Sequence, residues 1–126
     1  MRVCHSTGVE LTVRTSQVGE TSIVSVAGDL DVHSAPDLQA RLGPLSRQAR
    51  VRLVVDLADV EFIDSTGLGV LVTTLKHVRE ASGSLDVVVA APRVHKVFTL
   101  TGLDVVIPLH ATLGEATASA VERKLS

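Results

Sequence analysis

Two adjacent hydroxyl residues, Ser65 and Thr66, lie between an aspartate and two glycines in the stretch FIDSTGLGVLV (62–72). Apolar residues precede this polar group and helix-like spacing follows it, which predicts a junction between a strand and a helix. Aspartate, serine and threonine are all favoured at a helix start because they accept hydrogen bonds from its unpaired amides. Capping requires only one such side chain. Two interpretations therefore stay open: capping alone, or a hydroxyl that takes part in chemistry.

Enzyme motifs built from similar letters do not match this stretch. A P-loop has a lysine after its glycines, and a dinucleotide fingerprint has a third glycine where this chain has Val72. A nucleophile elbow has a glycine at the position of Ile63, and no signature supports a Ser–His–Asp triad. We therefore expect a hydroxyl that accepts a group transferred by another protein, and not the nucleophile of an enzyme.

A phosphoryl group suits a hydroxyl at this position. It adds about −1.5 to −2 charges and three acceptor oxygens. The start of a helix tolerates an anion, because its amides and its dipole favour negative charge. We therefore hypothesise a switch in which the fold survives modification and only the surface offered to a partner changes.

Composition excludes several classes of function. The chain has 126 residues, of which 45% are hydrophobic and 21% charged, as in one globular domain. A net charge of −2, no Trp or Tyr and only two Phe argue against direct nucleic-acid binding. Cys4 is the only cysteine, and no apolar run has the length of a signal peptide or membrane span, so we expect a cytoplasmic protein without membrane contact. The five histidines lack ligand spacing, and we expect no metal and no cofactor.

Apolar patterns predict an alternation of strands and helices. The predicted strands are 9–18, 22–28, 51–57, 85–90 and 104–109. The predicted helices start at 34–37, after 64–67, at Pro92 and at 112–115. The order ββαβαβαβα predicts one α/β domain, 9–126, with a mixed sheet of four to five strands and about four helices, preceded by a flexible tail at 1–8.

Local signals predict where these elements begin and end. Ser34 with Asp37, and the stretch TLGE (112–115), predict two capping boxes. Gly83 and Gly102 predict helix ends. The predicted apolar face of the helix after position 67 consists of Leu68, Leu71, Val72, Leu75 and Val78.

Three stretches resemble the markers of the STAS-domain anti-sigma-factor antagonists of bacteria. They are DLADVEFIDSTGLGVLV (56–72), AGDLDVHSAPDL (27–38) and SGSLDVVVAAPRVHKVFTLTGLDVVI (82–107). The likeness covers roughly residues 9–120. It implies a STAS-like fold, in which the helices pack mainly on one face of the sheet.

The resemblance also implies a function. In this family the unphosphorylated protein binds an anti-sigma factor, often itself a Ser/Thr protein kinase, and thereby frees a sigma factor. Phosphorylation of the hydroxyl after the motif aspartate switches the antagonist off, and a PP2C-type phosphatase restores it. On this chain the phosphoacceptor is Ser65, with Thr66 as the secondary hydroxyl, and Asp31 matches the acid of the neighbouring loop. The residues expected at the partner interface are Asp31, Val32, His33, Asp64, Ser65, Thr66, Gly67 and Leu68.

Individual residues of the motif have expected roles. Asp64 is expected to cap the helix or orient its neighbours, and Gly67 and Gly69 to keep the docking surface low. Leu68 is either an exposed contact or the first core residue of the helix. The acids that would add a negative rim, if they are not ordinary surface acids, are Asp29, Asp59 and Glu61.

Other functions remain compatible with the sequence. One is a structural STAS module of a larger, stressosome-like signalling assembly. Another is a hydrolase that uses Ser65, and a third is a family member that is never phosphorylated and binds its partner constitutively. We take the phosphorylation-controlled antagonist as the prediction to be tested.

Overall fold

The computed structural model describes residues 11–125, and the side chains of residues 11–121. The predicted tail at 1–8, and the first two residues of the first predicted strand, lie outside the described residues. The elements of the described part are β1 (Thr12–Val18), β2 (Thr21–Leu30), α1 (Ala35–Ser46), β3 (Arg52–Ile63), α2 (Ser65–Glu80), β4 (Ser84–Val88), α3 (Pro92–Thr101), α4 (Leu103–Val106), β5 (Leu109–His110) and α5 (Leu113–Leu125).

The strands form one mixed sheet in the order β1-β2-β3-β4-β5. Strand β1 runs antiparallel to β2, and every later neighbouring pair is parallel. The predicted hairpin is confirmed, with Gly19 at φ 59° in the turn between β1 and β2. Because the parallel strands β2, β3 and β4 point the same way, the loops that follow β2 and β3 meet at one edge of the sheet.

The core lies on both faces of this sheet. Neighbouring residues of the central strands alternate between two clusters, as expected of strands buried on both faces. The cluster beneath α1, α2 and α3 includes Val24, Val55 and Val87. The cluster beneath α5 contains Ile23, Val54, Val88, Ala116 and Ala120. The α/β prediction is confirmed, with the helices α1 to α3 on one face and α5 on the other.

Strand β3 is longer than predicted and continues past Leu57 to Ile63. Two register shifts relative to β2 interrupt it, because the pairing advances from Asp56 directly to Asp59 and from Val60 directly to Phe62. These bulges place buried residues three apart, at Leu57, Val60 and Ile63, where an uninterrupted strand buries every second residue on one face. The alternation that marks a strand is therefore absent from this part of the sequence.

The prediction of a strand at 104–109 is wrong for most of its length. The chain forms the single helical turn α4, and only Leu109 with His110 pairs with β4. Gly102 has φ 78° and ends α3, and the amide of Val105 then donates to the Gly102 carbonyl at 3.2 Å. Val105 is 85% exposed, so an apolar β-branched residue here does not mark a buried strand.

The second predicted capping box forms in a variant at the start of α5, in which Glu115 binds the amide of Ala111 instead of that of Thr112. The Thr112 hydroxyl accepts a hydrogen bond from the Glu115 amide at 3.2 Å. The Glu115 carboxylate accepts one from the amide of Ala111, also at 3.2 Å. These two bonds fix the point at which the chain leaves β5 and crosses the sheet as α5.

Within residues 11–125, no helix is long and apolar enough to cross a membrane. The same part of the chain contains no cluster of three or more His, Cys, Asp or Glu residues that could hold a metal ion. Cys4 and His5 lie outside the described residues.

Candidate functional site

The loops after β2 and β3 lie side by side at the carboxyl edge of the sheet. Leu30 and Ile63, the last residues of the two strands, are paired in the parallel register. The amide of Asp64 donates a 3.2 Å hydrogen bond to the Leu30 carbonyl. The sequence motifs around Asp31 and around Ser65, more than thirty positions apart in the chain, therefore form one site.

Asp64 caps helix α2. Its backbone is extended, at φ −112° and ψ −174°, and its carboxylate accepts hydrogen bonds from the amides of Thr66 at 2.9 Å and Gly67 at 3.1 Å. The expectation of a capping role for Asp64 is confirmed. Both bonds use Oδ1, and they hold this carboxylate against the backbone of the helix start.

The two hydroxyls of the motif do not share in this capping. Ser65 and Thr66 are both exposed, at the first two positions of α2. Neither hydroxyl makes a hydrogen bond within the described residues. Of the two interpretations left open by the sequence, capping therefore accounts for Asp64 alone. It gives no reason for the serine and the threonine.

Gly67 and Leu68 support the site from beneath. A Cβ atom at Gly67 would lie 2.8 Å from Leu30 Cγ, 2.9 Å from Ile63 Cγ1 and 3.0 Å from the Leu30 carbonyl oxygen. Leu68 is 8% exposed and belongs to the main core. The expectation that Gly67 keeps a docking surface low is wrong, because its missing side chain faces inward. A partner at Ser65 would meet the surface that these two residues hold in place.

The outer side of α2 carries a continuous exposed stripe. Ser65, Gly69, Val72 and Lys76 follow one another at steps of four, three and four residues, and all are exposed. We call these four residues the Ser65 stripe. A Cβ atom at Gly69 would meet nothing within 4 Å, so this glycine has no packing role inside the molecule. Its absent side chain leaves a shallow surface next to Ser65 on the helix.

Val72 was predicted on the apolar face of α2, and that prediction is wrong. Val72 is 44% exposed, whereas Val70 is 7% exposed and Thr74 is fully buried. The Thr74 hydroxyl donates to the Val70 carbonyl at 2.8 Å, which satisfies it inside the core. The buried face of α2 is thus rotated toward Val70 and Thr74, and an apolar residue remains on the surface in line with Ser65.

The loop after β2 is tied together by its own polar groups. The Asp31 carboxylate accepts hydrogen bonds from the amides of His33 at 3.0 Å and Ser34 at 3.1 Å. The Ser34 hydroxyl donates to the Asp29 carbonyl at 2.7 Å and accepts from the Asp31 amide at 3.0 Å. Ser34 therefore makes no side-chain cap on α1, and the capping box predicted with Asp37 does not form.

These bonds present the tip of the loop to solvent. Val32 is 57% exposed and His33 is also exposed, whereas Ser34 is 5% exposed. Because these hydrogen bonds already hold the loop in one conformation, a partner that covers Val32 causes little further loss of conformational entropy. Asp31 itself is half-buried and engaged with the loop amides, so its first role is to set the loop conformation.

One exposed residue at this edge was missed by the sequence analysis. Phe62 is 41% exposed and is paired in register with Asp29 of β2. The second bulge of β3 turns it outward, although it stands in an apolar run that predicts burial. The acids expected to form a rim at this edge are half-buried Asp29 and exposed Asp59 and Glu61.

Three comparisons with known proteins agree with this architecture. The sequence profile of the STAS domain matches residues 12–116. The chain is 43% identical over 88 residues to the anti-sigma-B factor antagonist of Bacillus subtilis (strain 168). The aligned region covers 70% of this chain and 80% of that relative. The crystal structure of an anti-sigma factor antagonist from Mycobacterium paratuberculosis gives a TM-score of 0.81 at 33% identity, with coverage of 88% of this chain and 94% of that one.

A fourth similarity concerns the fold. The structure of the Bacillus cell fate determinant SpoIIAA in its phosphorylated form gives a TM-score of 0.68 at 24% identity, covering 86% of this chain and 98% of that chain. The fold and the motif together define a STAS domain. The chain belongs to the STAS-domain family of anti-sigma-factor antagonists, as the sequence motifs predicted.

Proposed function

We propose that this protein is an anti-sigma-factor antagonist whose binding to its partner is controlled by phosphorylation of Ser65. The unphosphorylated chain binds an anti-sigma factor and so releases a sigma factor. A Ser/Thr protein kinase, which can be the anti-sigma factor itself, phosphorylates Ser65, and a PP2C-type phosphatase reverses the modification. The observation that carries this proposal is the exposed hydroxyl of Ser65 at a helix start that Asp64 already caps.

The geometry favours Ser65 as an acceptor of phosphate. Its hydroxyl is exposed and makes no hydrogen bond to a basic group among the described residues. We therefore expect an external catalyst to supply the base. In the transfer, a bond forms between the γ-phosphorus of ATP and Ser65 Oγ. The bond from that phosphorus to the bridging oxygen breaks, ADP leaves, and the serine proton passes to the kinase.

The same capping explains how a phosphate would act as a switch. Two of the amides that could neutralise an anion at this helix start already bind the Asp64 carboxylate. A phosphate on Ser65 would therefore add its charge beside an existing negative group and remain turned toward solvent. A partner packed against this surface would have to bury that charge, which strongly disfavours the complex.

The surface around Ser65 suits a protein partner. The Ser65 stripe provides a hydroxyl, a glycine without side chain and the exposed Val72, and the adjacent loop provides the exposed Val32. Apolar contacts at the centre of an interface and polar groups at its rim are usual for protein complexes. That relatives at 43% and 33% identity are named as anti-sigma factor antagonists gives the class of partner.

The direct test is affinity capture from the source cell with the wild-type chain, Ser65→Ala and Ser65→Glu as baits. We expect wild type and Ser65→Ala to retain a protein of the anti-sigma class, and Ser65→Glu to lose it. Mass spectrometry of the wild-type bait after incubation with the extract and ATP should locate phosphate on Ser65. Equal retention by Ser65→Glu, or phosphate only at other residues, would contradict the proposal.

A further inference from the structure

A polar cleft lies at the end of the sheet opposite Ser65. It occupies about 570 Å³ between the first residues of β3 and β4, and Arg50, Arg52, Ser82 and Ser84 contribute to its wall. The whole length of β3, 12 residues, separates it from the Ser65 site. At about 3.3 Å per residue the two sites are roughly 35 Å apart. The cleft therefore cannot be part of the surface that Ser65 controls directly.

Two strained turns form the rim of this cleft. Arg50 has φ 57° and Ser82 has φ 60°, and these are non-glycine residues in the left-handed region. The Arg50 amide donates to the Ala81 carbonyl at 2.8 Å, which joins the turn before β3 to the turn before β4. Strained backbone that the surrounding structure maintains is frequent at ligand sites, because it fixes side chains in advance.

Gly83 locks the two turns together at their closest approach. A Cβ atom at this position would collide with the carbonyl group of Val51 and lie 2.9 Å from its nitrogen. The Ser84 amide donates to that same Val51 carbonyl at 2.8 Å. The floor of the cleft is thus a rigid backbone contact, and the side chains of the two turns project from a fixed frame.

The wall of the cleft contains polar atoms without partners. The Arg52 side chain is 11% exposed, and its Nη2 donates to the Glu20 carboxylate at 3.0 Å. Its Nε, and the hydroxyl oxygen of Ser84, are buried and have no hydrogen-bond partner among the residues that the structure describes. Buried polar groups are nearly always satisfied by protein, water or ligand, so these two atoms are available to a ligand that displaces water from the cleft.

The charges around the cleft indicate the chemistry of that partner. Arg50 and Arg52 bring two positive charges against the one negative charge of Glu20, which pairs with Arg52, so these three side chains leave a net positive charge. A guanidinium beside serine hydroxyls matches a group that has negative charge and several acceptor oxygens. Phe62 belongs to the opposite edge and Phe98 is fully buried, so neither aromatic ring can stack on a ligand here.

We propose that this cleft binds the phosphoryl group of a small molecule, either free orthophosphate or a phosphate monoester. The Arg52 guanidinium turns from Glu20 toward the ligand, which brings Nε to an acceptor oxygen, and Ser84 donates its hydroxyl. Arg50 closes the cleft from the rim. This inference does not depend on the proposed role of Ser65, because the two sites share no residue.

The test is a titration of the ¹⁵N-labelled chain, followed by NMR, with sodium phosphate against sodium chloride at equal ionic strength. We expect saturable shifts of the amides at 50–52 and 82–84 with phosphate and none with chloride. Arg52→Gln should weaken the binding about tenfold. Arg93→Gln, which removes an exposed arginine from α3, should leave it unchanged.

Further ligands and a second variant complete the test. The dissociation constants of glycerol 3-phosphate and AMP are measured in the same way. If either binds more tightly than orthophosphate, the ligand is a phosphate monoester; if their affinities equal that of orthophosphate, the ligand is orthophosphate. If Arg52→Gln does not fold, Ser84→Ala removes one donor without a change of charge and should weaken binding severalfold. Shifts that do not saturate, that spread over the whole surface, or that persist unchanged in the folded variants would overturn the proposal.

Discussion

The amide of Gly67 donates a 3.1 Å hydrogen bond to the carboxylate of Asp64, so the acid of the motif, and not its serine, caps helix α2. We expect Asp64→Ala to lower the free energy of unfolding by about 1 kcal/mol, the usual effect of losing a helix cap. Ser65→Ala should change it by less than about 0.5 kcal/mol, because the hydroxyl has no partner to lose. Urea denaturation of both variants measures this, and a Ser65→Ala loss as large as that of Asp64→Ala would contradict the assignment of the cap.

A negative charge at Ser65 should weaken binding of the anti-sigma partner without harming the fold. We expect Ser65→Glu to raise the dissociation constant by at least about tenfold, because the interface must then bury an unpaired charge. Thr99→Glu places the same charge on the exposed side of the separate helix α3 and provides the matched control. Calorimetry with the captured partner gives the constants. A similar loss in both variants would mean that total charge, and not its position, determines binding.

The two glycines of the motif should respond in opposite ways to replacement by alanine. Gly67→Ala places a Cβ atom 2.8 Å from Leu30 Cγ and 3.0 Å from a backbone oxygen, so we expect it to destabilise the fold. The loss should be roughly 1–3 kcal/mol, as for other overpacked sites. Gly69→Ala meets no neighbour and should raise stability by about 0.5–1 kcal/mol through better helix propensity.

The same pair separates stability from binding. Gly69→Ala adds a methyl group beside Ser65, where a partner would pack, so its affinity for the anti-sigma factor should fall although its stability rises. Thermal unfolding and the binding assay on one preparation test both effects. A Gly69→Ala variant that is more stable and binds equally well would show that the partner does not cover this part of the stripe.

Asp86 and His110 form a pair that should matter for stability. Asp86 is fully buried on β4, and its carboxylate lies 2.8 Å from Nε2 of His110 on β5. We expect His110→Ala to destabilise the fold by about 1–3 kcal/mol, since it removes a partner of a buried carboxylate. His95→Ala, on the exposed side of α3, should have little effect in the same urea experiment. An equal effect of the two variants would contradict a special role for this pair.

The sequence was a good guide wherever one pattern applied along a whole element. The hairpin, the helix α3 that Gly102 ends, and the strands buried on both faces follow directly from turn residues and apolar spacing. It was a poor guide where tertiary contacts set the local geometry. The two bulges of β3 remove the alternation that would have predicted a strand as far as Ile63. The left-handed position after α2 is taken by Ser82, while Gly83 serves the close contact with Val51.

The functional site was likewise predicted only in part from the sequence. The letters Asp-Ser-Thr-Gly indicated a helix start, but which side chain would cap it depended on the hydrogen bonds of Asp64 to two particular amides. Phe62 is turned outward by a bulge in β3, and Val72 is exposed because the buried face of α2 is rotated. Neither effect can be predicted from the spacing of apolar residues. The cleft at Arg52 brings together turns that are about thirty positions apart in the chain, and its donors are recognisable only after folding.

Because the Ser65 side chain is exposed and makes no hydrogen bond within the described residues, we expect natural variation at this position to be limited mainly by the proteins that touch it. Under the proposed function, a lineage that replaces this serine with alanine would keep a folded domain that stays bound to its target. Under the same proposal, a descendant with an acidic residue at this position would not bind its target. Under the proposed function, such a loss of regulation would be visible in partner binding and not in the melting temperature.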